Sequence, residues 1–389
     1  MEKGINYKGL KAAILTMSFL QMATNAVASI LADIAAAFPQ ASASGVQYLM
    51  TFPNLLVVVM SVVTARLTVI FSKRRLAILG SALGAAAGVL SFLLHGNLIL
   101  LYIWAGLLGI GIGLVIPIAN SLIADYFEGN EKDSLLGLQT SAANIGSMLM
   151  TFLGGYLALL GWHFTYFVYL LAIPGLICIF MFVPAKNIAS EPADTGKAKS
   201  AIPGRAVLYF VIALAFMLAF YVGPTNLAMF VEERGIGNSV TSGTAATILL
   251  AGGAIMGFLF GKVASFIGRL TIPVGFLMLT LGFLVLYFSG NIPMLYIGSF
   301  LVGTGNTLVL PQCMGSVGTS DKQQTTLLMA LCLATANLGT FLAPVVTSLS
   351  AAVMGNSLAS SRFLFIGLAS AILAILSGLA IRSVEGSFR

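Results

Sequence analysis

Twelve apolar runs, each near twenty residues or longer, follow one another along the whole of this 389-residue chain. They fall at roughly 11–37, 45–69, 76–95, 98–124, 134–160, 163–184, 205–231, 239–264, 270–289, 293–316, 324–351 and 360–382. A run of that length crosses about 30 Å of hydrocarbon as a helix. Strands with unpaired edges are not tolerated in lipid, so each run is expected to be helical. Only 8% of the residues are charged and 59% are hydrophobic, against roughly 25% charged in a soluble domain. A soluble protein of this composition could not cover its surface. The expected fold class is an all-α polytopic membrane protein with twelve transmembrane helices.

The cations test the count. If the N-terminus is cytoplasmic, every one of the 19 Lys and Arg except Arg234 and Arg362 falls on the inner side. That is the positive-inside bias, and a missed or extra helix would scramble it. The expected location is therefore the cell (inner or plasma) membrane, with N- and C-termini cytoplasmic. The net charge of +7 needs no nucleic acid, because an inner-face bias accounts for it. A cleaved leader is not expected, since the first run is too long for a signal-peptide core. Cys178, Cys313 and Cys332 all lie in the runs and read as small packing residues.

One string occurs twice. "GIGIGLVIP" (Gly109 to Pro117) returns as "GTGNTLVLP" (Gly303 to Pro311), 194 residues later. Asn144-Ile-Gly146 returns as Asn337-Leu-Gly339, Ala65 matches Gly261, and Asp125 loosely matches Asp321, all at nearly the same offset. Between the sixth and seventh runs lies a polar connector, "PAKNIASEPADTGKAKSAIPGR", whose Pro, Ala, Gly and charges mark a flexible linker. The chain thus divides into a six-helix bundle at 1–184, a cytoplasmic linker at 185–204 and a second six-helix bundle at 205–389. The halves are pseudo-symmetric and parallel, the layout of one class of secondary transporter.

With these features the sequence resembles a compact bacterial-type member of the major facilitator superfamily (MFS). Gly109, Gly111 and Pro117 are similar to the family's fourth-helix pattern. "ARLTVIFSKRR" (Ala65 to Arg75) and "GKVASFIGR" (Gly261 to Arg269) resemble worn copies of its loop motif, with Val69 and Ser265 at the acidic position. "GGYLALLGWHFTYF" (Gly154 to Phe167) is similar to its fifth-helix ending, with His163 for Arg. The Arg of proton-coupled drug exporters would fall at Ala105, and their Gly-Pro at Met150-Thr151, so those signatures are missing. The resemblance implies alternating access around a mid-membrane cavity lined by helices 1, 4, 5, 7, 8, 10 and 11.

Polar side chains within spans are costly unless they face protein or water, and these are the candidate substrate contacts. In the first half they are Gln21, Asn25 and Ser29, then Asn120 and Gln139; in the second, Tyr221, Thr225, Asn226, Asn306 and Gln312. Gln21 and Asn25 are spaced to share one helical face. Asn144 and Asn337, repeated beside glycines, read instead as helix–helix hydrogen bonds. With no cation mid-span, a multiply charged anion would find no counter-ion. A small neutral or amphipathic organic solute is the expected substrate, with efflux ahead of uptake. An uptake permease or exchanger for a small metabolite or monovalent organic anion is the alternative, and a non-transporting ligand sensor is the alternative of another class.

Asp33 is the acid inside a helix, one turn before Phe38-Pro39 near the outer end. Half-desolvated, it could take a proton from outside; the plainer reading places it in the interface or at a neighbouring helix end. Glu232 and Glu233 read as solvated loop residues. Lys73, Arg74 and Arg75 suit anionic lipid, or with Asp125 and Arg269 could gate the inner mouth. His95 and His163 have no third ligand spaced for metal. No catalytic triad, metal cluster or Gly-Lys-Ser/Thr phosphate loop is found. The expectation is a transporter and not an enzyme, with no cofactor; its partners are substrate, protons and the lipid bilayer, and it is monomeric.

Overall fold

A computed structural model describes residues 6–185, 202–318 and 325–386. Most of the linker, together with Lys197, Lys199, Asp321 and Lys322, lies outside the described residues, as does the side chain of Arg269. Among the described residues there are helices and no strands, and twelve helices are long and apolar enough to cross a membrane. We number them α1 (Tyr7–Ala37), α2 (Ala43–Ile70), α3 (Lys73–Leu93), α4 (Leu98–Tyr126), α5 (Gly129–Leu157) and α6 (Trp162–Phe182). The second six are α7 (Gly204–Arg234), α8 (Ser239–Ile267), α9 (Thr271–Phe288), α10 (Ile292–Gly318), α11 (Thr325–Met354) and α12 (Ala359–Gly386). Several run past their apolar stretch, as α1 does through Lys8 and Lys11. Helical hydrogen bonds are made by the backbone, so a helix can continue where the apolar run has ended.

By contact the chain divides into two compact units. One is Met1–Ile30 with Phe52–Gly196; the other is Leu31–Thr51 with Lys197–Arg389. The paired ends of α1 and α2 thus group with the second unit, although the helix count alone would leave them with the first.

The repeated string is explained by packing within each unit. In the first, a Cβ on Gly109 would meet the Pro53 carbonyl oxygen of α2 at 2.6 Å, and one on Gly111 would meet the Gly80 oxygen of α3 at 2.6 Å. In the second, Gly303 meets Leu249 of α8 in the same way, and a Cβ on Gly305 would lie 2.8 Å from the Gly275 oxygen of α9. The two glycines of each copy let the fourth helix of the repeat touch the second and third backbone to backbone, the small-residue packing that lipid favours. Where the copies differ, bulk has changed sides. Gly113 faces Val57 in the first unit, whereas Thr307 takes the matching place in the second, faces Gly253 and donates to its carbonyl at 2.7 Å.

Gly146 and Gly339 pack the fifth helix of each repeat on the first, at Phe19 and at Leu214. The contact is made by these glycines. No side-chain hydrogen bond to another helix is found at Asn144 or Asn337 among the described residues, and both side chains are partly exposed, so the expected asparagine bridge gives way to glycine packing.

Two of the irregular spans carry candidate residues. In α1 the stretch Phe19–Ile30 is 3₁₀-helical, and Met22 leaves helical geometry (φ −119°, ψ 23°). Its hydroxyls bond back onto the preceding turns, Ser18 to Ile14 O and Ser29 to Ala26 O, a habit that bends helices. In α7 a turn at Tyr221 separates Gly204–Phe220 from Val222–Arg234; Pro224, which lacks an N–H, sits in the first turn of the second piece.

Candidate functional site

In the first unit three of the polar candidates, Gln21, Asn25 and Ser29, lie on the irregular part of α1. Asn25 donates from Nδ2 to Ser147 Oγ of α5 at 3.0 Å. Gln21 is half-buried, and its Nε2 is buried without a hydrogen-bond partner. Ser29 and Gln139 are buried, while Asn120 is exposed. The shared face expected for Gln21 and Asn25 assumed a regular helix of 3.6 residues per turn; here the two lie in a 3₁₀ stretch on either side of Met22, which leaves helical geometry.

In the second unit Tyr221 hydrogen-bonds the Thr340 side chain, and Thr225 Oγ1 donates to the Tyr221 carbonyl at 2.7 Å. Asn306 and Gln312 are half-buried, and Asn306 Oδ1 is buried without a partner. Asn226 is fully buried and fully engaged. Its Nδ2 donates to Val222 O at 2.9 Å and to Thr225 Oγ1 at 3.2 Å. Its Oδ1 accepts from Gln47 Nε2 at 2.8 Å and from Arg362 Nη1 at 2.6 Å. Gln47 Oε1 in turn accepts from Thr347 Oγ1 at 2.7 Å. Asn226 therefore presents no free group to a ligand in this structure, unlike Gln21 and Asn306.

Arg362, one of the two cations expected outside the inner face, is buried. It is 3% exposed, and besides Asn226 it donates to Ser357 O at 2.6 Å. Glu233 is likewise no solvated loop residue. Its carboxylate accepts from the backbone N–H groups of Ala359 and Ser360 and from Ser360 Oγ, capping the N-terminus of α12. Helix N-termini carry unpaired donors and a positive dipole end, which a carboxylate satisfies. Asp33, in Leu31–Thr51, is half-buried and feels the charge of Glu232.

At the α2–α3 turn, Lys73 is buried against Asp125 of α4 at 2.5 Å, with side-chain exposures of 7% and 10%. That pairing removes Lys73 from the group available to lipid. Arg74 donates to Phe180 O and lies 5.0 Å from the Phe180 ring centroid, whereas Arg75 is exposed. Glu131 pairs with Lys11 at 2.5 Å on the exposed surface. His95 and His163, distant in sequence, stack at 4.2 Å with planes 5° apart; no group of three or more metal-capable side chains occurs among the described residues.

Sequence reasoning passed over Gln47, Thr347, Arg362 and Glu233. The one available signal was Arg362 itself, one of two cations on the wrong side of an otherwise uniform charge distribution.

The family model described as "Major Facilitator Superfamily" matches residues 13–274. No curated protein sequence matches significantly. Among solved structures, a peptide transporter POT in complex with sulfate superposes with a TM-score of 0.77 at 16% identity, covering 97% of this chain and 94% of that one. A bacterial homologue of the human lysosomal transporter Spinster, in an inward-facing and unoccupied conformation, gives 0.76 at 14% identity, covering 98% of each chain. Identities this low speak for the fold alone.

Proposed function

Because this chain belongs to the Major Facilitator Superfamily, we propose that it exports a small neutral or amphipathic organic solute by alternating access, coupled to protons. It does so in the cell membrane with both termini cytoplasmic, the orientation favoured by the cation distribution. The observation that carries the substrate class is a pair of orphaned polar groups. Gln21 Nε2 and Asn306 Oδ1 are the buried side-chain amide atoms without a partner among the described residues. Buried polar groups are nearly always satisfied, and a transporter must leave some of its own for the cargo. One is a donor and the other an acceptor, and both are uncharged, which suits a solute bearing hydroxyl or amide groups. Gln139 in the first unit and Tyr221 and Gln312 in the second are further proposed contacts.

Asp33 is the proposed proton carrier. Two carboxylates in mutual reach, Asp33 and Glu232, repel each other when both are charged, and a proton on either relieves that repulsion. Lys73 and Asp125, with Arg74 beside them, are the proposed inner-side gate.

A thermal-shift screen of purified protein against metabolites and drugs, at two pH values, identifies the solute, since stabilisation follows occupancy. In proteoliposomes the identified solute is then expected to cross in response to a pH gradient. Asp33→Asn should abolish that response, and Gln21→Leu or Asn306→Leu should weaken the ligand's thermal shift. Transport unaltered by Asp33→Asn would remove the acid from the mechanism. A ligand that binds without counterflow would favour the sensor reading.

A further inference from the structure

The segment Leu31–Thr51 comprises the joined ends of α1 and α2 and belongs by contact to the second unit, although chain continuity ties it to the first on both sides. Its two boundaries fall at weak points in the helices. The Ile30–Leu31 boundary is where the 3₁₀ stretch Phe19–Ile30 ends. The Thr51–Phe52 boundary lies beside Pro53, inside α2. A 3₁₀ stretch and a helix-internal proline are both places where a helix bends at low cost.

Between those boundaries one side chain ties the segment to both α7 and α11 through the two ends of its amide. Gln47 is fully buried. Its Nε2 donates to Asn226 of α7 at 2.8 Å, and its Oε1 accepts from Thr347 of α11 at 2.7 Å. Tyr48 adds a ring contact to Phe341 of α11, centroids 5.4 Å apart. The polarity of this chain of bonds starts elsewhere, at α12. A guanidinium has donors and no acceptor, so Arg362 compels Asn226 to present its oxygen. That oxygen requires a donor from Gln47, which leaves the Gln47 oxygen for the Thr347 hydroxyl. Each bond is thereby specified by the arginine, and Asn226 Nδ2 is satisfied internally by Val222 and Thr225.

We propose that residues 31–51 form a hinged clasp on the second unit, with Gln47 as its hook and Arg362 as the positioning residue that sets the hook's polarity. Release of the hook frees the segment to swing at the 3₁₀ stretch and at Pro53. The purpose of such a release, passage of solute, rests on the transport reading above; the clasp itself is tested without transport.

Val46 is fully buried beside the hook, so Val46→Cys reports release. The full-length protein in lipid nanodiscs is treated with a maleimide, the parent without that cysteine serving as blank. Gln47→Ala removes two buried hydrogen bonds and is expected to raise the labelling rate about tenfold. Thr347→Val removes one and is expected to raise it about threefold. Gln47→Glu keeps the bond from Thr347 but sets an acceptor against Asn226 Oδ1, which Arg362 holds in place, so it should also raise the rate, by at least the factor of about three expected for one lost bond. Adding Arg362→Met to Gln47→Glu releases Asn226 to turn its Nδ2 toward the carboxylate and should slow labelling again, whereas Arg362→Met alone should speed it. A purely structural role for Arg362 would make the double variant faster than Gln47→Glu; that result, or parental labelling in Gln47→Ala and Gln47→Glu, overturns the clasp. Labelling that follows the expected order supports it whether or not the same preparation moves a solute, so the two readings fail separately.

Discussion

Gly111→Ala and Gly305→Ala apply one perturbation to both halves of an internal repeat, and the structure sets its size. A Cβ on Gly111 would stand 2.6 Å from the Gly80 carbonyl oxygen and 3.1 Å from Gly84 N; on Gly305 it would stand 2.8 Å from the Gly275 oxygen and 3.4 Å from Leu279 N. An ordinary carbon–oxygen approach between helices is about 3.3 Å. The helices must therefore part by about 0.7 Å in the first unit and about 0.5 Å in the second, the differences between that approach and the 2.6 Å and 2.8 Å separations. The obstructing atoms are backbone, so no rotamer change relieves the clash. Overpacking of this kind costs about 1–3 kcal/mol, and the better helix propensity of alanine returns up to about 1 kcal/mol. A net loss of about 1–2 kcal/mol should lower the apparent Tm by about 2–6 °C, slightly more for Gly111→Ala. Gly137→Ala and Gly315→Ala are the controls, because nothing lies within 4 Å of either added Cβ; they should leave Tm level or raise it. Fluorescence-monitored unfolding in detergent at one scan rate makes the comparison. If Gly111→Ala and Gly305→Ala melted with their controls, backbone contact would not be the reason for the repeated glycines.

Two ion pairs at 2.5 Å should behave differently. Lys73→Ala, which leaves Asp125 buried, should cost about 3–5 kcal/mol, whereas Lys11→Ala on the exposed Lys11–Glu131 pair should cost at most about 1 kcal/mol; urea or thermal unfolding of the two variants checks the ratio, and equal losses would refute the burial argument. Glu233→Ala should remove the N-terminal cap of α12 at a cost of about 1–2 kcal/mol, read as faster hydrogen exchange confined to Ala359 and the following turn. Exchange there equal to that of the parent would mean the carboxylate caps nothing in solution.

Much of the architecture was readable because lipid removes alternatives. A long apolar run in hydrocarbon must be helical, and cations cross poorly, so hydropathy and charge give the helix count and its duplication. The glycines of the repeated string announced a packing role by type and spacing. Gln21, Asn306 and Asp33 were visible as polar exceptions in apolar surroundings. The hook was not visible, because Gln47 stands at the start of α2 among Ser, Gly and Tyr, where a glutamine looks like interface. Arg362 and Glu233 stood close enough to helix ends to pass for solvated residues. What buries them is a neighbouring helix, and a linear pattern carries no record of neighbours.

On its own, then, the amino-acid sequence determined the solvent, the number of spans and the two-fold repeat, because these depend on local hydropathy and on periodic small residues. Tertiary structure alone decided which polar groups are satisfied and which are left free. It brought Gln47, Asn226, Thr347 and Arg362 together across as many as 315 positions of chain, left Gln21 Nε2 and Asn306 Oδ1 without partners among the described residues, and broke regular helical geometry between Gln21 and Asn25. Hydrogen bonds act over about 3 Å, and only folding decides which residues come that close.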